Sequence, residues 1–134
     1  MTRHSISQKE IGMVRIYMKP REKVPGKSGW LRGSLLYREL ILQAKAAGIL
    51  NAVAHSTHFG YSNGGRVADD GFEISNPDLT MCVELIGDRH DLENFCRTHG
   101  GMLKGKVIIF KHIEHWDITG HGVKVEDVLK PSVP

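Results

Sequence analysis

From Met13 to Met18 the chain alternates Val14, Ile16 and Met18 with Arg15 and Tyr17. That period of two puts the three apolar side chains on one face of a strand, which Lys19-Pro20 ends. Residues 19–33 follow with three Gly, two Pro and five basic residues against one acid, a composition that predicts an exposed loop. The period then changes. Leu36, Leu40, Ala44 and Ala47 fall on one helical face, with Ser34 placed to cap the start and Gly48 to supply the left-handed residue at the stop.

A second strand is expected near Ile49 to His55. Residues 57–78 are rich in Gly, Asn and acids and poor in large apolar side chains, so they read as a long flexible loop, longer than packing requires. Met81, Val83 and Leu85 alternate as a third strand. Asp88 caps a second helix that buries Leu92, Phe95, Cys96 and His99 and ends at Gly100, and Lys106 to Ile113 forms the fourth strand. Residues 1–10 and 119–134 read as tails of one domain spanning 1–134. The order βαββαβ is the ferredoxin-like split βαβ pattern of an α+β fold: a four-stranded antiparallel sheet with two helices on one face.

Composition narrows the classes. The formal charge of +3 is too small and too interspersed for a nucleic-acid surface, so no nucleic-acid partner is expected. Cys82 and Cys96 form no CxxC pair, no apolar run approaches a bilayer-crossing length, and the start lacks a leader pattern. These features point to a cytoplasmic protein with reduced thiols and no direct membrane insertion.

Candidate chemistry is sparse. Gly100-Gly101-Met102-Leu103-Lys104-Gly105-Lys106 satisfies GxxxxGK, but Val107 stands where a phosphate loop needs Ser or Thr, and the context is helix to strand. What remains is a Gly-rich turn able to turn backbone N–H groups toward an anion, with Lys104 and Lys106 adding charge. His55, His58, His112 and His115 cluster near the ends of the two expected edge strands and form the alternative metal site. Residues three apart on a strand point to opposite faces, which sets His112 and His115 apart. Cys96 reads as a small core hydrophobe, and no GxSxG elbow gathers a nucleophile, so no catalytic residue is assigned and no enzyme is expected.

Four segments taken in order carry a resemblance: Met13-Val14-Arg15-Ile16-Tyr17-Met18-Lys19-Pro20, His58-Phe59-Gly60-Tyr61, Gly105-Lys106-Val107-Ile108-Ile109-Phe110 and Thr119-Gly120-His121-Gly122. Together they resemble PII signalling proteins over most of residues 13–129, and Gly33-Ser34-Leu35-Leu36-Tyr37 looks like the PII-like branch of uncharacterised function. The resemblance implies a homotrimer with adenine-nucleotide sites between subunits. It places the nucleotide among Phe59 and Gly60 at the base of the long loop, Glu84 near the adenine, Gly105 and Lys106 at the phosphates with Gly101 and Lys104 in the same Gly-rich turn, and Thr119 and Gly120 in the C-terminal segment. Gly64, Gly65, Arg66, Asp69 and Asp70 lie in the loop through which such proteins meet a partner, for which the resemblance suggests a membrane transporter or channel.

Departures refine this picture. Asp117 lies where PII proteins carry arginines and would repel a phosphate, which favours ADP or AMP over ATP. Tyr61-Ser62 replaces the Arg-Gln pair used for 2-oxoglutarate and magnesium, and His99 and Leu103 replace small or hydroxyl residues. The nucleotide is then a ligand, and no cofactor is required. The other reading is a metal-binding trimer akin to divalent-cation tolerance proteins, using the edge histidines.

Overall fold

The alternation around Val14, Ile16 and Met18 belongs to a much longer strand. In the computed structural model, which describes residues 3–26, 33–71 and 77–123, β1 runs Arg3–Met18. Then follow α1 (Leu36–Ala46), β2 (Asn51–Ser56), the short β3 (Phe59–Gly60) and β4 (Ala68–Asp69), β5 (Met81–Gly87), α2 (Arg89–Thr98), the single turn α3 (Gly100–Leu103) and β6 (Ile108–Val123). The four main strands form an antiparallel sheet in the order β2-β5-β1-β6, and β3 pairs with β4 in a separate small ribbon. This is the expected split βαβ sheet.

Cross-strand register sets the core. Val14 lies opposite Leu85 and Ile16 opposite Val83, and this face is covered by Leu36, Leu40 and Ala44 of α1 and by Leu92 and Phe95 of α2. All are buried. Ala47, expected on the buried face of α1, is exposed, because the helix ends at Ala46 and its backbone turns away through Gly48 at a φ of 78°. Ser34 does not cap α1: Leu35 holds the N-cap position, and the first helical amide, Leu36 N–H, donates to the Glu22 carbonyl at 2.8 Å. Asp88 does hold the N-cap of α2, but its carboxylate reaches Lys9 on β1 at 3.2 Å and makes no capping bond.

The second helix ends at Thr98 with His99 as its C-cap, and Gly100 opens a further turn instead of supplying the stop. The chain turns once more as α3, and the left-handed residue is Gly105, φ 79°. The larger correction concerns the ends. Residues 3–10 and 119–123 are not tails: β1 pairs with β6 from Arg3 opposite Val123 to Ile16 opposite Ile108, so the two strands continue past the sheet as a ribbon. Their sequence hides this because a ribbon with no layer packed on it needs no apolar alternation. Residues 1–2 and 124–134, the rest of the expected tails, lie outside the described residues, as do 27–32 and 72–76 of the two expected loops. No helix among the described residues is long and apolar enough to cross a membrane.

Candidate functional site

The Gly-rich turn is built by α3. Gly100 starts it, Lys104 N–H donates to the Gly100 carbonyl at 2.9 Å, and Lys106 N–H donates to Leu103 at 3.1 Å. These two amides are therefore consumed by the turn and do not face a ligand. Of the backbone N–H groups expected to face an anion, these two are bonded within the turn instead, while the side chains of Lys104 and Lys106 remain beside it. Past the turn, Tyr17 N–H donates to the Val107 carbonyl at 3.1 Å, which ties the start of β6 to the end of β1.

The long loop folds back onto this turn. Asn63 (φ 54°) and Gly64 (φ 69°) both take left-handed backbone, and Gly65 N–H donates to the Ser62 carbonyl at 3.0 Å, the pattern of a type I′ turn. From that tip the Asn63 amide Nδ2 donates to the Gly105 carbonyl at 3.0 Å. Below the contact lies a cavity of about 270 Å³ whose rim carries Lys19, Arg66 and Lys106 against Glu22 and Asp78. Lys106 Nζ pairs with Glu22 Oε2, and Lys19 lies 3.7 Å from Asp78. Arg66 makes no ion pair among the described residues. The cavity thus brings together Gly105, Lys106, Gly65 and Arg66 of the sequence-derived set.

Other members lie apart. Glu84 sits on the sheet face away from the helices, nearly buried, between Arg15 (3.1 Å) and His55 (3.6 Å), in a depression of about 230 Å³. Tyr17 lines both hollows, so Glu84 lies beside the Lys106 cavity rather than in it. Gly101 and Lys104 are exposed next to the turn, and Phe59 and Gly60 form β3, with the Phe59 ring 69% exposed. Asp69 is in β4, and its carboxylate accepts from Gly71 N–H at 2.8 Å. Thr119 and Gly120 are remote. An extended strand advances roughly 3.3 Å per residue, so β6 carries Thr119 about 35 Å from the Gly-rich turn. There it meets Ser5, the two hydroxyl oxygens 2.8 Å apart.

A third hollow of about 310 Å³ is bordered by Arg21, Thr57, His58, Asp70 and Thr80. His58 Nδ1 and Asp70 Oδ2 are 2.6 Å apart, and this bond holds the Asp70 carboxyl below its usual range. The histidines do not converge. His55 faces Glu84 from β2, His58 is bound to Asp70, and His112 on the opposite sheet edge lies 3.4 Å from Glu10, with His115 opposite Lys9 in register. Among the described residues no three His, Cys, Asp or Glu side chains gather as a metal site. Burial pushes both the Cys82 and the Cys96 thiols up, so neither is an activated nucleophile.

Glu22, Lys19 and Asn63 are the site residues that sequence reasoning missed. Asn63-Gly64 is a known type I′ signature and could have marked the tip. Glu22, a single acid in a basic loop, reads as solvated until the fold sets it against Lys106.

Comparison with known proteins bears on the same elements. Residues 12–115 match the family DUF190, described as Uncharacterized ACR, COG1993. Among solved structures, CPII of Thiomonas intermedia K12, a nitrogen regulatory PII-like protein bound to ADP, AMP and bicarbonate, superposes with a TM-score of 0.57 at 10% identity. The match covers 83% of this chain and 92% of CPII. The apo form of the same protein gives 0.53 at 10% identity, over 84% and 99%. A putative PII-like signaling protein from Thermus thermophilus gives 0.50 at 14% identity, over 83% and 92%. No curated protein matches. At these identities the likeness establishes the PII-like fold.

Proposed function

This chain belongs to the DUF190 family, and from that premise we propose that it is a PII-like regulator that binds an adenine nucleotide, ADP or AMP rather than ATP, between subunits of a homotrimer. The observation that carries the reading is the convergence of the Asn63 tip, the Gly105 turn and three cations, Lys19, Arg66 and Lys106, on one cavity. Charged donors at the rim of a small hollow suit a phosphate. At about 270 Å³ the hollow sits at the small end for ligand pockets, so it takes the phosphate end while the base extends along Tyr17 toward Glu84 and a neighbouring subunit. That CPII holds ADP, AMP and bicarbonate on the same fold supports the ligand class.

The remote Thr119 and Gly120 fit a site completed by the next subunit, whose ribbon would bring them to it. The exposed apolar face of that ribbon, Ile6, Trp116 and Ile118, supports such an assembly. Ligand binding changes the order of residues 57–78, and with it the fit of a partner in the cytoplasm, for which a membrane transporter or channel is the proposed class. The protein acts as a ligand-responsive switch and not as a catalyst.

Calorimetric titration with ADP, AMP and ATP tests this. Lys106→Ala should weaken ADP binding by ~1.5 to 3 kcal/mol, roughly ten- to a hundredfold, at fixed salt and with the fold intact by circular dichroism. Exposed Lys104→Ala should do less. Equal ADP affinities in wild type and both variants would sink the assignment.

A further inference from the structure

Lys106 is already engaged. Its ammonium pairs with Glu22 in a setting that excludes most water, the two side chains being 19% and 32% exposed. The Glu22 Oε2 oxygen is buried and accepts no hydrogen bond from any other described group, so Lys106 is its one compensating partner among the described residues. A nucleotide phosphate reaching Lys106 must therefore meet a carboxylate already in its place.

Glu22 is also tied to the backbone around it. Its N–H donates to the Lys19 carbonyl at 3.2 Å, closing a turn at the cavity rim. Its carbonyl accepts from Leu36 N–H, the first amide of α1, at 2.8 Å. One residue on, Lys23 bridges to Leu35, and Val24 N–H donates to Ser34 at 2.8 Å. A shift of the Glu22 backbone would thus carry with it the start of α1 and both ends of the 19–35 connection.

We propose that Glu22 is a displaceable counter-ion: a phosphate takes its place on Lys106, and the released carboxylate moves residues 19–26 and the first turn of α1, making a second ligand-responsive surface apart from the 57–78 loop. Lys106 keeps an anionic partner in both states, and the released Glu22 carboxylate, with no other partner among the described residues, must turn out to solvent. This inference rests on the nucleotide reading above, and its test separates the two.

Glu22→Gln keeps the shape and removes the charge. It should bind ADP and inorganic pyrophosphate roughly five- to twentyfold more tightly than wild type at fixed salt, since the phosphate no longer competes with a carboxylate. Hydrogen exchange supplies the second readout: ADP or pyrophosphate should speed exchange of the Val24 and Leu36 amides in wild type, and Glu22→Gln should show that faster exchange without ligand. If Glu22→Gln proves too unstable, Glu22→Asp, whose carboxylate reaches less far, should show the same tightening in smaller measure. Tighter pyrophosphate binding with no ADP binding by either protein would uphold the counter-ion and sink the nucleotide reading. Unchanged or weaker anion binding by the variants, with wild type binding ADP, would overturn the counter-ion alone. No anion binding by any of the proteins would overturn both.

Discussion

Gly12 sits in β1 where there is no room for a side chain. A Cβ built there would lie 2.6 and 2.8 Å from the Phe110 ring and 3.0 Å from Leu92 Cδ1. Swinging the ring aside would give up its place 5.0 Å under the Arg89 guanidinium and edge-on to His112. Gly12→Ala should cost ~1 to 3 kcal/mol in urea unfolding, and most of that cost should vanish in a Phe110→Ala background, since the two changes share one clash. His99 offers a pH test at the same scale. Its ring lies 4.5 Å from Phe95, and burial lowers its pKa, opposed by the negative charge of Glu39. With the folded value below the unfolded one, the unfolded chain takes up the proton first. The contribution is therefore full above the usual histidine range near ~6.5 and is lost as pH falls toward the folded value. His99→Gln should flatten the part of the stability profile below pH ~6.5 that is due to this ring. An unchanged slope would show that this ring does not contribute to the dependence.

At the scale of elements, one side-chain hydrogen bond among the described residues joins the tip of the long loop to the Gly-rich turn. Asn63→Gly keeps a residue at home in left-handed backbone and deletes only the amide that reaches Gly105. An exposed bond of this kind is worth ~0.5 to 1.5 kcal/mol. The variant should show faster hydrogen exchange at residues 62–66 with little change in global melting, and slow exchange there would show that the tip is held by something else. The same elements show why parts of the fold were legible and others were not. Val14, Ile16, Met18, Met81, Val83 and Leu85 face a helix layer, so burial wrote a period of two into them. Residues 3–10 pair with β6 without a core beneath, and of their side chains only Ile6 is large and apolar, so nothing in the pattern distinguishes strand from tail. The site divides likewise. Gly105 and Lys106 announce themselves by residue type, whereas Glu22 and Lys106 are separated by 84 positions in sequence and meet only through the fold.

At the scale of the whole molecule, the ribbon beyond the sheet is the feature that a single chain leaves unexplained. Ile6 lies opposite Ile118, and Trp116, two residues before, occupies the same face. Their exposures are 51%, 66% and 57%. An isolated two-stranded ribbon is marginal in water, and this one presents its largest apolar side chains to solvent, so it gains most by lying against another subunit. The opposite face of the ribbon carries Ser5, Ser7, Lys9, Asp117 and Thr119, as a surface facing solvent or a polar ligand should. In the proposed trimer the Ile6, Trp116 and Ile118 face is the subunit contact, and the same ribbon brings Thr119 and Gly120 toward the neighbour's cavity. Assembly and nucleotide affinity are then linked through one element. Trp116→Ser combined with Ile118→Ser should lower the mass seen by light scattering from trimer toward monomer at micromolar concentration. Helix and sheet signals should persist, because the Val14–Leu85 core does not involve the ribbon. ADP affinity should fall in parallel although Lys106 is untouched, and should recover in part as protein concentration is raised, by mass action. A trimer that survives the double substitution with full affinity would remove the ribbon from both the interface and the site.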